Sequence, residues 1–348
     1  MQSTNRENQL AGRIEAALPG VTPGVVLRAY QGGQLIHDIR AGQTWRFYDL
    51  ASLTKIVFTQ QAMMQAFDLG QWNLGTTVAD VLDDFPDKRV EITELLTHSS
   101  GIEWWKPFYL SADPALAWQA KRIWLYEELK KADFNRTGKS VYSDLGFMLL
   151  GFILERLGNR NLLAAWDAIK SGVYPDTSLE FHVDNKTTIG LDQFAPTEDC
   201  VWRKRTVCGE VHDENTFGLG GVSSHAGLFG SIEDISVFGL NLRAQLLGTA
   251  NRYVRQETAR LFARCAAPLD AGDWALGFML PSPEGASCGS HFSRESIGHT
   301  GFTGTSVWYD PQRDLLVLIL SNRVRYGRDN KAFLQLRPKI HDWIVESL

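Results

Sequence analysis

Cysteine is scarce: Cys200, Cys208, Cys265 and Cys288 are the four in 348 residues. No two of them form a C-x-x-C pair, so neither a zinc ribbon nor a thioredoxin-like redox site is expected. A Cys200–Cys208 bridge is conceivable, although cytosolic thiols stay reduced. Long apolar runs are missing too, and no stretch is continuous enough to span a bilayer. The polar opening, Met1-Gln2-Ser3-Thr4-Asn5-Arg6-Glu7-Asn8, leads into no apolar core of a secretory signal. The expectation is therefore a cytoplasmic protein, or a periplasmic or secreted one if a leader has been removed. An excess of positive charge is absent: the net charge is −5. The densest basic run, Arg203-Lys204-Arg205, falls short of the basic face that nucleic acid requires and reads as solvated surface. No G-x-S-x-G elbow occurs, which argues against an α/β-hydrolase. The Gly218-Leu219-Gly220-Gly221 turn has neither the Lys-Ser/Thr of a P-loop nor the spacing of a dinucleotide fingerprint. Neither an internal repeat nor a low-complexity segment is found.

What is present is an ordinary globular balance, 44% hydrophobic and 22% charged. The length suffices for one large core or for two lobes sharing an interface. The 11 Trp and 18 Phe suit a deep core or an aromatic-lined pocket, which composition alone does not separate. Residues 24–39 read as a hairpin turning at Gln31-Gly32-Gly33. A helix is predicted from about Ser52 to Phe67, capped by Asp49 or Ser52 and ended by Gly70. The region 76–157 reads as mainly helical. It includes 115–131, where Leu116, Ile123, Trp124 and Leu129 fall near helical spacing, and 145–157. Residues 174–215 are irregular, 232–247 is helical, 306–309 and 315–320 are strands across Asp310-Pro311, and 333–347 is an amphipathic helix. The fold class that follows is α+β: one antiparallel sheet of early and late strands flanked by helices, with a mainly helical lobe inserted. The division expected is 1–70 plus 222–348 for the sheet domain and 71–221 for the helical lobe.

Three short elements carry chemistry together. Ser52-Leu53-Thr54-Lys55 places a hydroxyl and an amine at i and i+3, on one face of a helix. A serine hydroxyl needs a neighbour that takes its proton, and a helix N-terminus offers free N–H groups and positive potential to an oxyanion. Alone, the spacing arises by chance on many surface helices. Tyr142-Ser143-Asp144 precedes an apolar helix; it is either a packed Tyr with Asp144 as cap or a phenol whose pKa a nearby cation lowers from roughly 10. His299-Thr300-Gly301 leads into a strand, where the missing side chain of Gly301 leaves room for a ligand to approach the backbone and Phe302 N–H could join Ser52 N–H around an oxyanion. Two further features stand beside these. Val211-His212-Asp213-Glu214-Asn215, with His182 and His225, lacks the tight spacing of a zinc site and reads better as a hydrogen-bonded loop near a cleft. Trp104-Trp105, with Phe108 and Tyr109, is either core or an aromatic wall over the nucleophile.

In order and spacing these elements resemble the serine β-lactamase and penicillin-binding-protein superfamily, in particular the branch of class C β-lactamases, D-aminopeptidases and family VIII esterases. Leu95-Leu96-Thr97-His98-Ser99-Ser100-Gly101-Ile102, Leu219-Gly220-Gly221-Val222 and His225-Ala226-Gly227-Leu228-Phe229 add to the likeness, which covers about residues 20–345. The resemblance implies a β-lactamase/transpeptidase-like fold in which Ser52 attacks a carbonyl, Lys55 and Tyr142 share the proton relay, and water releases the acyl group. It implies no metal or organic cofactor. Asp144, Thr300, Gly301, Phe302 and His299 would bind substrate, with His212 a second-rank residue on the rim. The substrate would be a small ester, amide or D-amino-acid peptide, with no nucleic-acid or membrane partner; oligomeric state is open.

Two departures bear on substrate. Asp144 stands where Asn is usual and can only accept while ionised. It would also favour a charged Lys55, leaving Tyr142 or the phenolate–ammonium pair as base. His299 stands where β-lactamases and carboxypeptidases carry Lys, and a neutral imidazole attracts a carboxylate less. The expectation shifts toward an esterase or amidase with weak β-lactamase activity. A D-amino-acid peptidase, a class C-like β-lactamase, and a non-catalytic or acylation-only sensor on the same scaffold are the alternatives.

Overall fold

A computed structural model describes residues 2–249, 253–264, 266–267 and 272–348. The strands in chain order are β1 (Gly24–Gln31), β2 (Gln34–Gly42), β3 (Tyr48–Asp49), β4 (Glu180–Phe181), β5 (Asp199–Cys200), β6 (Arg205–Thr206), β7 (Leu228–Gly230), β8 (Ile297–Thr300), β9 (Ser306–Asp310) and β10 (Leu315–Ser321). The main sheet runs β2-β1-β10-β9-β8 and is antiparallel throughout, with Val25 opposite Ser321 and His299 opposite Val307. The α+β class and the union of early with late strands are as read from the sequence.

Each turn of the sheet has a local cause. Gly32 and Gly33 both take positive φ (60° and 80°), which a two-residue hairpin with native twist requires. Every residue of β10 is buried, because helices cover both faces of the central strand. Alternation divides the side chains. Val25, Leu27, Ala29, Trp308, Val317 and Ile319 pack with the first helix (Gln2–Ala17) and the last (Ala332–Glu346). Val26, Tyr30, Val307, Tyr309, Leu316 and Leu318 join a second core that continues into the helical middle, through Leu145, Leu149 and Ile153. The first helix, which is not among the elements expected from the sequence, buries Leu10 and Ile14.

The middle departs from the sequence reading in three ways. It is less continuously helical: Val78–Val81, Ile92–Leu96, Trp118–Leu129 and Asp144–Gly158 are separated by long loops over 97–117 and 130–143. The buried face of Trp118–Leu129 is Trp118, Arg122, Leu125 and Leu129, whereas Ile123 is 69% exposed and Leu116 lies outside the helix. Arg122 is buried because Glu155 takes its guanidinium in a two-point pair (2.9 and 2.7 Å), which apolar spacing alone does not reveal. Finally, Arg203 is not solvated. Its guanidinium is buried and donates to the carbonyls of Val211 (2.8 Å) and His212 (3.0 Å). Cys200, Cys208 and Cys288 are free thiols, so no Cys200–Cys208 bridge forms; Cys265 lies outside the described residues. No described helix is long and apolar enough to cross a membrane.

Candidate active site

The segment carrying Ser52 is not the regular helix that its pattern predicts. Ala51 sits at φ 48°, a left-handed conformation that costs a non-glycine residue roughly 1–2 kcal/mol. A 3₁₀ turn (Ala51–Leu53) follows, then a π-helical stretch (Lys55–Thr59), and only then an α-helix (Gln60–Asp68). Buried Asp49 holds the turn, its carboxylate accepting from Ala51 N–H (2.8 Å) and His212 N–H (2.6 Å). Positive-φ alanine and π-helical irregularities concentrate where a side chain must be presented in one orientation.

Ser52, Lys55 and Tyr142 meet. Ser52 Oγ accepts from Lys55 Nζ at 3.1 Å and from Tyr142 OH at 2.8 Å. Lys55 is fully buried, and its other two N–H bonds go to Asp144 Oδ1 (2.7 Å) and His225 O (3.0 Å). Three donors and three acceptors describe a complete ammonium. Burial pulls the Lys55 pKa down, but the carboxylate of Asp144 and the phenol of Tyr142 outweigh it, and the net direction is up. Burial also pushes the Tyr142 phenol up, with Lys55 opposing and Asp144 adding to the rise. Both directions favour ammonium and neutral phenol as the resting pair, with the phenolate forming toward alkaline pH.

Ser143, not Asp144, caps the helix Asp144–Gly158, its Oγ accepting from Gly146 N–H at 3.1 Å. Asp144 is thereby free to turn its carboxylate to Lys55. The Tyr142 ring packs on His98 (centroids 4.6 Å apart) and stacks with Trp274 (5.9 Å). His98 has φ 56°, and its Nδ1 accepts from Ser143 N–H (3.0 Å). Burial, then Lys55, hold its pKa well below the ordinary value, so it positions the tyrosine as a neutral ring.

The late motif packs against the turn that carries Ser52. Thr303 Oγ1 donates to Asp49 O (2.8 Å) and Thr305 Oγ1 to Leu50 O (3.1 Å). A Cβ on Gly301 would lie 2.7 Å from Leu50 O, so glycine is what permits this approach. His299 Nδ1–H donates to Thr300 O (2.9 Å), and burial, followed by Lys55, carries its pKa down to about 3. A neutral imidazole therefore occupies the place of a cation. Thr300 is partly buried, its hydroxyl turned toward Met279. Phe302 is 47% exposed, with its ring on that of His212 (5.5 Å) and beneath the guanidinium of Arg323 (4.7 Å). His212 is buried behind Phe302 and faces Glu198 at 3.3 Å; it braces the wall and does not line an open rim.

The three histidines weighed as metal ligands part company. His182 lies flat on Phe229 (4.0 Å), His212 lies behind Phe302, and His225 pairs with Asp213 (3.1 Å) and Ser223 (2.7 Å). Among the described residues, Asp144, Asp213 and His225 do bring ligand atoms within 4.8 Å of one another, but the ammonium of Lys55 already neutralises that corner. Despite its burial, the Asp213 carboxyl is held below the usual range by His225 and by the N–H of Thr216. Asp49, His98, Asp213, His225 and Trp274 are the positions that reading for nucleophile and base did not single out. The Leu95–Ile102 and His225–Phe229 stretches carried the signal for two of them.

Known proteins place the chain in a family. The family profile described as Beta-lactamase matches residues 11–337, and the chain belongs to that family of serine hydrolases. It is 30% identical to an N-acetylmuramyl-L-alanine amidase of Bacillus subtilis (strain 168), over 92% of this chain and 82% of the relative. It is 29% identical to a protein of Escherichia coli (strain K12) provisionally named a D-alanyl-D-alanine carboxypeptidase, over 85% and 73%. Among solved structures, the hydrolase EstCE1, described as having promiscuous acyltransferase activity, shares the fold at TM-score 0.70 and 17% identity, covering 98% of both chains. A penicillin-binding-protein homologue from Pyrococcus abyssi does so at 0.68 and 18%, covering 94% of this chain and 77% of that one.

Asp144→Asn keeps an acceptor for Lys55 but removes the charge that raises the Tyr142 pKa. The alkaline limb of kcat/KM is expected to move toward neutral pH. An unmoved or more alkaline limb in a pH–rate titration would refute this coupling.

Proposed function

We propose that this chain hydrolyses amides, and activated esters with them, through an acyl-enzyme on Ser52. The observation carrying the proposal is that Lys55 Nζ and Tyr142 OH both hydrogen-bond the same oxygen, Ser52 Oγ. With every N–H of Lys55 engaged, the ammonium cannot accept a proton. Its charge instead steadies a phenolate on Tyr142 once the proton there has left. That phenolate takes the Ser52 proton while Oγ bonds to the substrate carbonyl carbon. In this reading the N–H groups of Ser52 and Phe302 serve as donors to the developing oxyanion, a contribution of roughly 3–4 kcal/mol where such donors have been removed in other enzymes. Tyr142 then protonates the leaving amine or alkoxide as it departs. Water repeats the sequence in reverse: Tyr142 takes its proton, the hydroxide adds to the acyl carbon, and Ser52 leaves with the proton returned.

The neutral His299 sets the substrate class. Without a cation at that place, a carboxylate beside the scissile bond gains little, which favours an amide recognised by its acyl half over a β-lactam or a peptide ending in a free carboxylate. The name of the B. subtilis relative supports an N-acetylmuramyl amide. A fluorophosphonate probe should label Ser52, and p-nitrophenyl butyrate and an N-acetylmuramyl-L-alanine amide should turn over steadily. Labelling without turnover would make the chain an acylation-only sensor, and labelling elsewhere would remove Ser52 as nucleophile. Nitrocefin is expected to be hydrolysed slowly; a rate comparable to that of an efficient β-lactamase would overturn the assignment of His299.

A further inference from the structure

One feature beside the reacting groups has no part in the chemistry. Trp104 is 59% exposed, and its ring is offset-stacked on Trp105 with centroids 6.0 Å apart and planes inclined by 28°. The two indoles do not belong to a loose tip. Trp104 O accepts from Asp144 N–H (3.0 Å), and Ser143 Oγ donates to Glu103 O (3.0 Å), so the loop is fastened to the segment that carries Tyr142. On its other side Asn215 grips it twice, accepting from Tyr109 N–H (3.1 Å) and donating to Lys106 O (2.8 Å). Asn215 stands in the short helix Glu214–Gly218, capped by the Asp213 that pairs with His225, whose carbonyl holds Lys55. An apolar ledge is thus rigidly registered to the nucleophile and open to solvent.

Resting on the function proposed above, we infer that the Trp104–Trp105 ledge is a subsite for the saccharide half of the substrate. An indole face is rich in π-electron density, and the C–H groups on one face of a pyranose carry the complementary partial charge, so the two stack. The polar edge of a sugar needs donors and acceptors at the rim of such a platform. Glu103 and Lys106 supply both, paired at 2.7 Å and each 31% exposed. The ledge joins the site at Asp144, the residue that touches Lys55. Trp104 is one backbone hydrogen bond from Asp144, so substrate extending from the acyl carbon toward this loop would lead to the indoles. Continuity with the reacting groups is what favours a substrate moiety over a protein partner.

The test separates this inference from the chemistry. Ser52→Ala protein, which cannot turn substrate over, is titrated with N-acetylmuramic acid and with N-acetylglucosamine while tryptophan emission and bound heat are followed. Saturable binding is expected, weakened by about tenfold when Trp104→Ala is added and restored largely by Trp104→Phe. In the otherwise unaltered enzyme, Trp104→Ala should lower kcat/KM for an N-acetylmuramyl amide by about tenfold relative to p-nitrophenyl butyrate, chiefly through KM. Absence of saccharide binding, or binding indifferent to Trp104, overturns the subsite even if the amide is cleaved. Saccharide binding lost with Trp104, in a protein that cleaves no muramyl amide, would sustain the subsite and refute the proposed reaction. Self-association that Trp104→Ala abolishes, with no saccharide bound, would reassign the ledge to a protein interface.

Discussion

Ser52→Ala is expected to lower amide and aryl-ester turnover by at least about 10⁴-fold and to abolish fluorophosphonate labelling. The reason lies in the proton inventory. Lys55 and Tyr142 have one shared target, and with Oγ gone neither acts on substrate directly. The fold should persist, because the 49–54 turn is held by Asp49, Thr303 and Thr305, none of which depends on the Ser52 hydroxyl. Lys55 retains Asp144 and His225 as acceptors. The two orphaned donors would each cost about 1–3 kcal/mol if dry, and the partly exposed carboxylate of Asp144 shows that water reaches this corner. A chemical-denaturation midpoint close to wild type with activity gone is the outcome expected. Persistent turnover under conditions that exclude contaminating hydrolase would end the case for Ser52.

Tyr142→Phe should cost about 10²–10⁴-fold in kcat/KM. The substitution keeps the ring that packs on His98 and Trp274 and removes only the hydroxyl 2.8 Å from Ser52 Oγ. The residual rate should also lose its alkaline limb. In the proposed mechanism the base is a phenolate whose pKa burial raises, so activity should climb with pH until that group has titrated. Without the phenol, no group of that pKa stands next to Oγ. A variant with depressed activity but an unchanged alkaline limb would point to Lys55 as the titrating base and displace the phenolate from the proposed mechanism.

Much of the fold was legible because periodicity and turn chemistry are local. The Gly32-Gly33 hairpin, the apolar run of β10 and the helix Ile232–Leu247 follow from neighbours in sequence. The Ser52–Lys55 contact was legible for the same reason, as i and i+3 meet on any helical turn. Reading failed where a distant partner overrules a local preference. Arg122 is buried because of Glu155, Arg203 because of the carbonyls at 211 and 212, and Asp144, with Ser143 as the cap of its helix, turns to Lys55.

By itself, then, the order of residues determined the α+β class and the pairing of Ser52 with Lys55. Only the tertiary structure decided the protonation of those groups and the company they keep. That Lys55 carries a full set of three acceptors, that Tyr142 rests as a phenol, that His299 is neutral and that Trp104 stands open beside Asp144 all depend on burial and on contacts between segments tens to hundreds of residues apart. Ionisation responds to the field of everything nearby in space, and proximity in space is what a linear pattern does not contain.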